Sequence, residues 1–161
     1  MSAQETLRHF LAALAYRLQK SIREAPESYW EFEAGGEVRT PRRILRHINS
    51  VLTYALLVLQ TGDFHHRTRL KDLDPEGEIA RFHTTLEALD HELSNRTDLS
   101  GDLLRRLLQG PLADAMTHIG QLAQLRRLAG SPVRGENFVK ADIRTGHVGP
   151  DQPDPVSPDP E

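Results

Sequence analysis

The sequence predicts an all-α fold, a bundle of long amphipathic helices, and three observations lead there. Apolar residues recur at helical spacing in four separate stretches. Helix start and stop residues bracket those stretches. No segment shows sustained alternation of apolar and polar residues, so a sheet has no candidate strands. A chain of 161 residues is long enough for one domain with a real core and too short for two comfortable ones.

The first helix is expected over residues 3–24. Leu7, Phe10, Leu11, Leu14, Leu18 and Ile22 make its apolar stripe, and Ser2 with Glu5 forms a capping-box pattern. Pro26 forbids easy continuation. A link over residues 25–39 contains Gly35 and Gly36 but also Tyr29, Trp30 and Phe32, aromatic residues expected to pack over the core. Thr40 as N-cap and Pro41 at the first helical position start the second helix. Gly62 stops it after a stripe of Ile44, Ile48, Val51, Leu52, Ala55 and Leu59. A polar link leads to a third helix over residues 75–94, with Ile79, Phe82, Leu86, Leu89 and Leu93 inward. Ser100 can cap a short helix over residues 101–109. Gly110-Pro111 marks a break or a fresh start, and the last helix follows over residues 111–129. Leu112, Ala115, Met116, Ile119, Leu122 and Ala123 form its inward face; Arg126 lies within that face without an evident partner. The expected domain organisation is a four-helix bundle over 1–130, a strap over 131–149 and a Pro/Asp-rich mobile tail over 150–161. Val133, Phe138, Val139, Ile143 and Val148 are the apolar residues by which the strap would dock.

Composition narrows the function classes. The net charge is -3 and the pI about 6.2, so no broad positive field exists for a phosphate backbone and nucleic acid is not an expected partner. No apolar run approaches membrane-spanning length and no signal-peptide pattern opens the chain; no membrane partner is expected, and the expected location is cytoplasmic. Cysteine is absent, which removes disulfides, thiolate zinc sites and Cys nucleophiles. No serine lies in a Gly-x-Ser-x-Gly elbow, no P-loop follows Gly35-Gly36, and the Glu-x-x-His pairs of di-iron bundles are missing from the long helices.

What remains is a constellation of metal-ligand type. Asp114 and His118 stand four residues apart, so on a helix they stack on one face, at the margin of its apolar side. His47 occupies the margin of the second helix's stripe. Two imidazoles and one carboxylate facing each other across helices would make a three-ligand site for one divalent ion, with positions left for water or substrate. Zinc, nickel, iron, manganese and cobalt all suit such donors. The alternatives are a half-buried His47 bonded to backbone and an Asp114 that merely complements the helix dipole. His83 is a lesser candidate beside the third helix's face. Arg42, Arg43 and Arg46 form a basic stripe near His47, read first as a solvated helix face.

Leu45-Arg46-His47-Ile48, and more firmly the run from Pro111 through Asp114 and His118 to Gln121-Leu122, resemble the DinB/YfiT-like family of metalloenzymes. The resemblance spans roughly residues 5–130, and the following Arg126–Phe138 segment looks like an extension carried by one branch of that family. It implies an up-down-down-up four-helix bundle, often a homodimer, with one divalent metal (Zn, Ni, Fe or Mn) held by three histidines. His47 matches the ligand of the second helix and His118 the last ligand. Asp114 departs from the pattern, standing where His is usual. The family includes thiol-dependent S-transferases and a mycothiol-dependent isomerase. The resemblance thus implies a small-molecule substrate and a low-molecular-weight thiol activated on the metal. Hydrolysis through bound water and a non-catalytic, stress-related binding bundle are the alternatives. Tyr54, Gln121, Trp30 and Phe138 are candidate pocket or supporting groups.

Overall fold

The computed structural model describes residues 1–160. Its long helices are α1 (Ala3–Ile22), α2 (Pro41–Thr61), α3 (Pro75–Asn95) and a fourth helical element that begins as α4 (Gly101–Leu107) and ends as α5 (Ala113–Leu128). Local chemistry accounts for the ends. The Ser2–Glu5 capping box forms at α1, Asp74 Oδ1 accepts from Gly77 N–H at α3, and Ser100 Oγ accepts from Leu103 N–H at α4. Gly62 closes α2 in the left-handed conformation. Thr40 sits at the N-cap of α2 but makes no capping bond; its hydroxyl is buried without a partner, so Pro41 rather than a Thr side chain sets that start.

Side-chain contacts fix the topology as up-down-down-up. Gln4, at the start of α1, donates to the carbonyls of Leu93 and Arg96 at the end of α3, so these helices are antiparallel. Asn49 with Glu78, and Gln60 with Glu92, pair starts and ends of α2 and α3, which are therefore parallel. Arg126 near the end of α5 bonds to carbonyls at the end of α1, making that pair parallel. The core between them contains Leu11, Leu14, Leu18, Leu45, Ile48, Leu52, Phe82, Leu86 and Leu122. Tyr29 and Trp30 are buried against it as the sequence leads one to expect.

Gly110-Pro111 does not end the helix. Residues Leu108–Leu112 form a π-helical turn, in which Ala113 N–H reaches the carbonyl of Leu108, five residues back. Pro111 has no N–H to complete the α-type ladder, and the wider turn absorbs one extra residue. The apolar spacing requires it: Leu104 and Leu107 are buried in α4, and the next buried positions are Leu112, Ala115, Ile119 and Leu122. The step of five from Leu107 to Leu112 would rotate α5 off the core in an unbroken α-helix.

The segment after α5 returns along α1 and α3. Val148 is buried, whereas Val139, expected to dock, is almost fully exposed. Polar anchors do much of the attachment. Tyr16 donates to the buried Glu136 carboxylate, which together with burial pushes the Tyr16 phenol up to about 12. Beyond residue 150, Gln152 is buried, Asp154 pairs with Arg23, and Glu136 and Pro158 form an isolated antiparallel bridge. Ser157, Pro158 and Asp159 thus pair back onto the strap.

His83, on α3, anchors this strap rather than joining a metal site, correcting its candidacy. Its Nδ1–H donates to the Val148 carbonyl at 2.7 Å, and Gln19 Nε2 lies 2.7 Å from its Nε2. Burial pushes its pKa below the ordinary value, against the opposing pull of that carbonyl and of Glu87. With a folded pKa below the unfolded one, its contribution to stability is present above roughly pH 6.5 and is lost as pH falls through that value toward the folded pKa. The melting temperature is therefore expected to fall between pH 7.5 and 5, and His83→Gln to flatten part of that fall; an unchanged slope would refute the assignment.

Candidate metal centre

The antiparallel packing of α2 and α5 places His47, in the second turn of α2, opposite the first turns of α5. Asp114 Oδ1 lies 3.5 Å from His118 Nε2, and Asp114 Oδ2 lies 3.9 Å from His47 Nε2. The imidazole rings meet edge to face with centroids 4.6 Å apart. One ligand atom from each of the three residues falls within 4.8 Å of the other two. These separations are too long for good hydrogen bonds. They suit donors arranged around one ion, since atoms each about 2.1 Å from a tetrahedral metal stand roughly 3–4 Å apart. The residues can thus hold a divalent cation with two nitrogens and a carboxylate oxygen.

The protonation states fit that role. His118 Nδ1 is 2.7 Å from Gln121 Oε1. An acceptor there holds the proton on Nδ1 and leaves the Nε2 lone pair toward Asp114. His47 has its pKa lowered, first by burial, then by the positive charge of Arg39 and by His118, with Asp114 opposing. A neutral imidazole is the ligating form. His118 is the more enclosed histidine, its side chain 13% exposed against 35% for His47 and 48% for Asp114. Replacing Gln121 with leucine is expected to weaken divalent-ion binding by about 10–100-fold, since the imidazole loses its orienting acceptor; titration with cobalt and its ligand-field spectrum would check this.

Three clefts meet at these residues. Asp114 lines one of about 780 Å³ together with Val51, Tyr54, Val58 and Phe64. His47 lines a second, of about 630 Å³, with arginines. His118 and Gln121 line a third, of about 500 Å³. The centre is therefore reachable from solvent, as a substrate site requires. Of the supporting groups expected from sequence, Gln121 contacts His118, and Tyr54 lines the first cleft with its hydroxyl bonded to the Phe64 carbonyl. Trp30 packs instead against Tyr29 in the core, and Phe138 lies beneath the Arg17 guanidinium at 3.7 Å; neither lines the three clefts. Arg39 and Arg69, which border the second cleft, carried no signal of their own in the sequence.

Comparison with family models, curated proteins and solved structures gave no match. Fold and site together define the class: a four-helix bundle with a candidate metal centre of two imidazoles and one carboxylate, open to surface clefts. Among the described residues, no helix is long and apolar enough to cross a membrane.

Proposed function

We propose that this chain is a divalent-metal-dependent enzyme of the DinB-like kind, an S-transferase that uses a low-molecular-weight thiol. The observation that carries the reading is the convergence of His47, Asp114 and His118 from two helices at a solvent-reachable point. The sequence resemblance over the second and last helices supports the choice of thiol chemistry. A divalent ion held there supplies Lewis acidity, which lowers the pKa of a bound thiol or water. His47 and His118 offer neutral nitrogens, and Gln121 holds the His118 proton away from the centre. Asp114 makes the donor set more negative and harder than three imidazoles, which favours harder divalent ions than an all-histidine site would.

Metal analysis of the purified and reconstituted protein, beside Asp114→Ala and His118→Ala, tests the site. The expected result is one ion per wild-type chain and none in the variants. Turnover is then assayed with glutathione or cysteine and 1-chloro-2,4-dinitrobenzene. A metal-loaded protein that hydrolyses esters but consumes no thiol would move the reading to a hydrolase. One that binds metal and does neither would leave a binding bundle. Absence of stoichiometric metal after reconstitution would overturn the enzyme reading. A dimer of the chain, the other expectation from the resemblance, is checked by solution mass.

A further inference from the structure

One ridge of α2 changes character along its length. At spacings of three and four residues it runs through Arg43, His47, Val51, Tyr54 and Val58, positions that share a helix face, and Arg39 stands in the loop just before the helix. The ridge begins cationic, reaches the candidate centre at His47, and ends apolar. The two clefts beside it follow the same order. The second cleft is lined by Arg39, Arg43, Arg46 and Arg69, with Glu37 as its acidic member. The first has an apolar part formed by Val51, Tyr54, Phe64 and Pro111 and a polar part formed by Arg106, Gln109, Asp114 and Thr117. They adjoin, because Ser50 and Thr68 line both, and these two hydroxyls are hydrogen-bonded to each other. Arg46 is held by Asp72 at 3.2 Å. Arg39, Arg43 and Arg69 form no ion pair with a described residue, and all three are exposed. Three guanidiniums without carboxylate partners, gathered around a concave surface in a chain of net charge -3, are a local reversal of the protein's overall sign. The start of α2 adds its own positive dipole end.

We propose that these clefts together bind a small amphiphilic anion. Its phosphate or carboxylate head sits among Arg39, Arg43 and Arg69, its apolar chain lies along Val51, Tyr54 and Phe64, and the atoms between pass His47 and Asp114. Guanidinium forks match carboxylate and phosphate oxygens in pairs. The rise from Arg43 to Tyr54 is about 16 Å at 1.5 Å per residue, the reach of an anionic head followed by a chain of six to eight carbons. The last part of the assignment, that the middle of the ligand faces a reactive centre, rests on the metal-dependent reading above; the binding itself does not.

The test is calorimetric titration of the full chain, both chelator-stripped and metal-reconstituted, with methyl, butyl and hexyl phosphate. Stripped wild-type protein is expected to bind one hexyl phosphate at least tenfold more tightly than methyl phosphate, because added methylenes leave water. Arg43→Gln combined with Arg69→Gln is expected to weaken all three ligands tenfold or more and to steepen no chain-length dependence. Both residues are exposed and unpaired, so folding is not at stake. Val51→Asn should weaken hexyl phosphate and leave methyl phosphate unchanged, and Arg127→Gln, an exposed arginine that lines neither cleft, should change nothing. Equal affinity in the arginine variant would overturn the head site, and affinity independent of chain length would overturn the apolar arm. Tighter binding of a single-stranded oligonucleotide than of hexyl phosphate would overturn the small-ligand assignment. Arginine-dependent binding by a protein that takes up no metal would sustain the ligand site and sink the metal reading; stoichiometric metal without phosphate binding would do the reverse.

Discussion

Replacing His118 with alanine is expected to abolish stoichiometric divalent-ion binding, a loss larger than the 10–100-fold that follows from removing an orienting neighbour. The reason is geometric. His118 is the best enclosed of the three donors and the one with its proton position fixed, by Gln121. Without it, His47 and the half-exposed Asp114 remain as two ligands on different helices, too few to displace an ion's water shell effectively. Equilibrium dialysis with metal analysis would measure the loss, and a melting curve without metal would show whether the fold survives. The fold is expected to change little, because the imidazole lies at the margin of the core. Retention of wild-type affinity would mean that these residues do not form the site.

The largest expected loss of stability comes from a residue that sequence could not place. Arg126 is buried in α5. Its Nε–H donates to the Ser131 carbonyl at 2.8 Å, and its Nη1 donates to the carbonyls of Ser21 at 3.2 Å and Arg23 at 3.0 Å. One guanidinium thus ties together the ends of α1 and α5, where unpaired carbonyls gather and the helix dipoles favour a cation. Its charge also lies 5.5 Å from the centre of the Tyr29 ring. Arg126→Met keeps much of the apolar stem but leaves several buried acceptors without donors. The expected cost is about 3 kcal/mol or more, read as a lower urea midpoint with an unchanged slope. Arg126→Lys should recover only part, since an ammonium cannot reproduce the planar fork. Arg127→Met, at an exposed position, should stay within about 0.5 kcal/mol.

Arg126 shows where sequence reading stops. Its place on an apolar face is visible at once, while its partners are carbonyls, which every residue carries and no sequence distinguishes. Glu78 is a similar case. It is fully buried in α3, accepts hydrogen bonds from Asn49 and the Leu73 backbone, and pairs with Arg81 at 3.2 Å. As a first-turn glutamate it looks like an ordinary helix-dipole residue. The strap misled in the opposite sense: Val139 looked like an anchor and is exposed, while Tyr16, His83 and Glu136 do the anchoring through polar atoms. Apolar residues in irregular segments have no periodicity to say which way they point.

The sequence by itself determined the helices, most of their inward faces and the pairing of Asp114 with His118, because all of these follow from local backbone geometry repeated every 3.6 residues; Val51, expected inward, is half-buried and lines the first cleft. It also contained the five-residue step from Leu107 to Leu112, legible as a π turn once the helix is known to continue through Pro111. The tertiary structure decided which helices are neighbours. Long links at 23–40 and 62–74 allow more than one arrangement of four amphipathic helices, and only packing selects the one in which α2 runs antiparallel to α5. That choice brings His47 across from Asp114, joins a cationic cleft to one with an apolar part, and turns three marginal polar residues into one candidate centre.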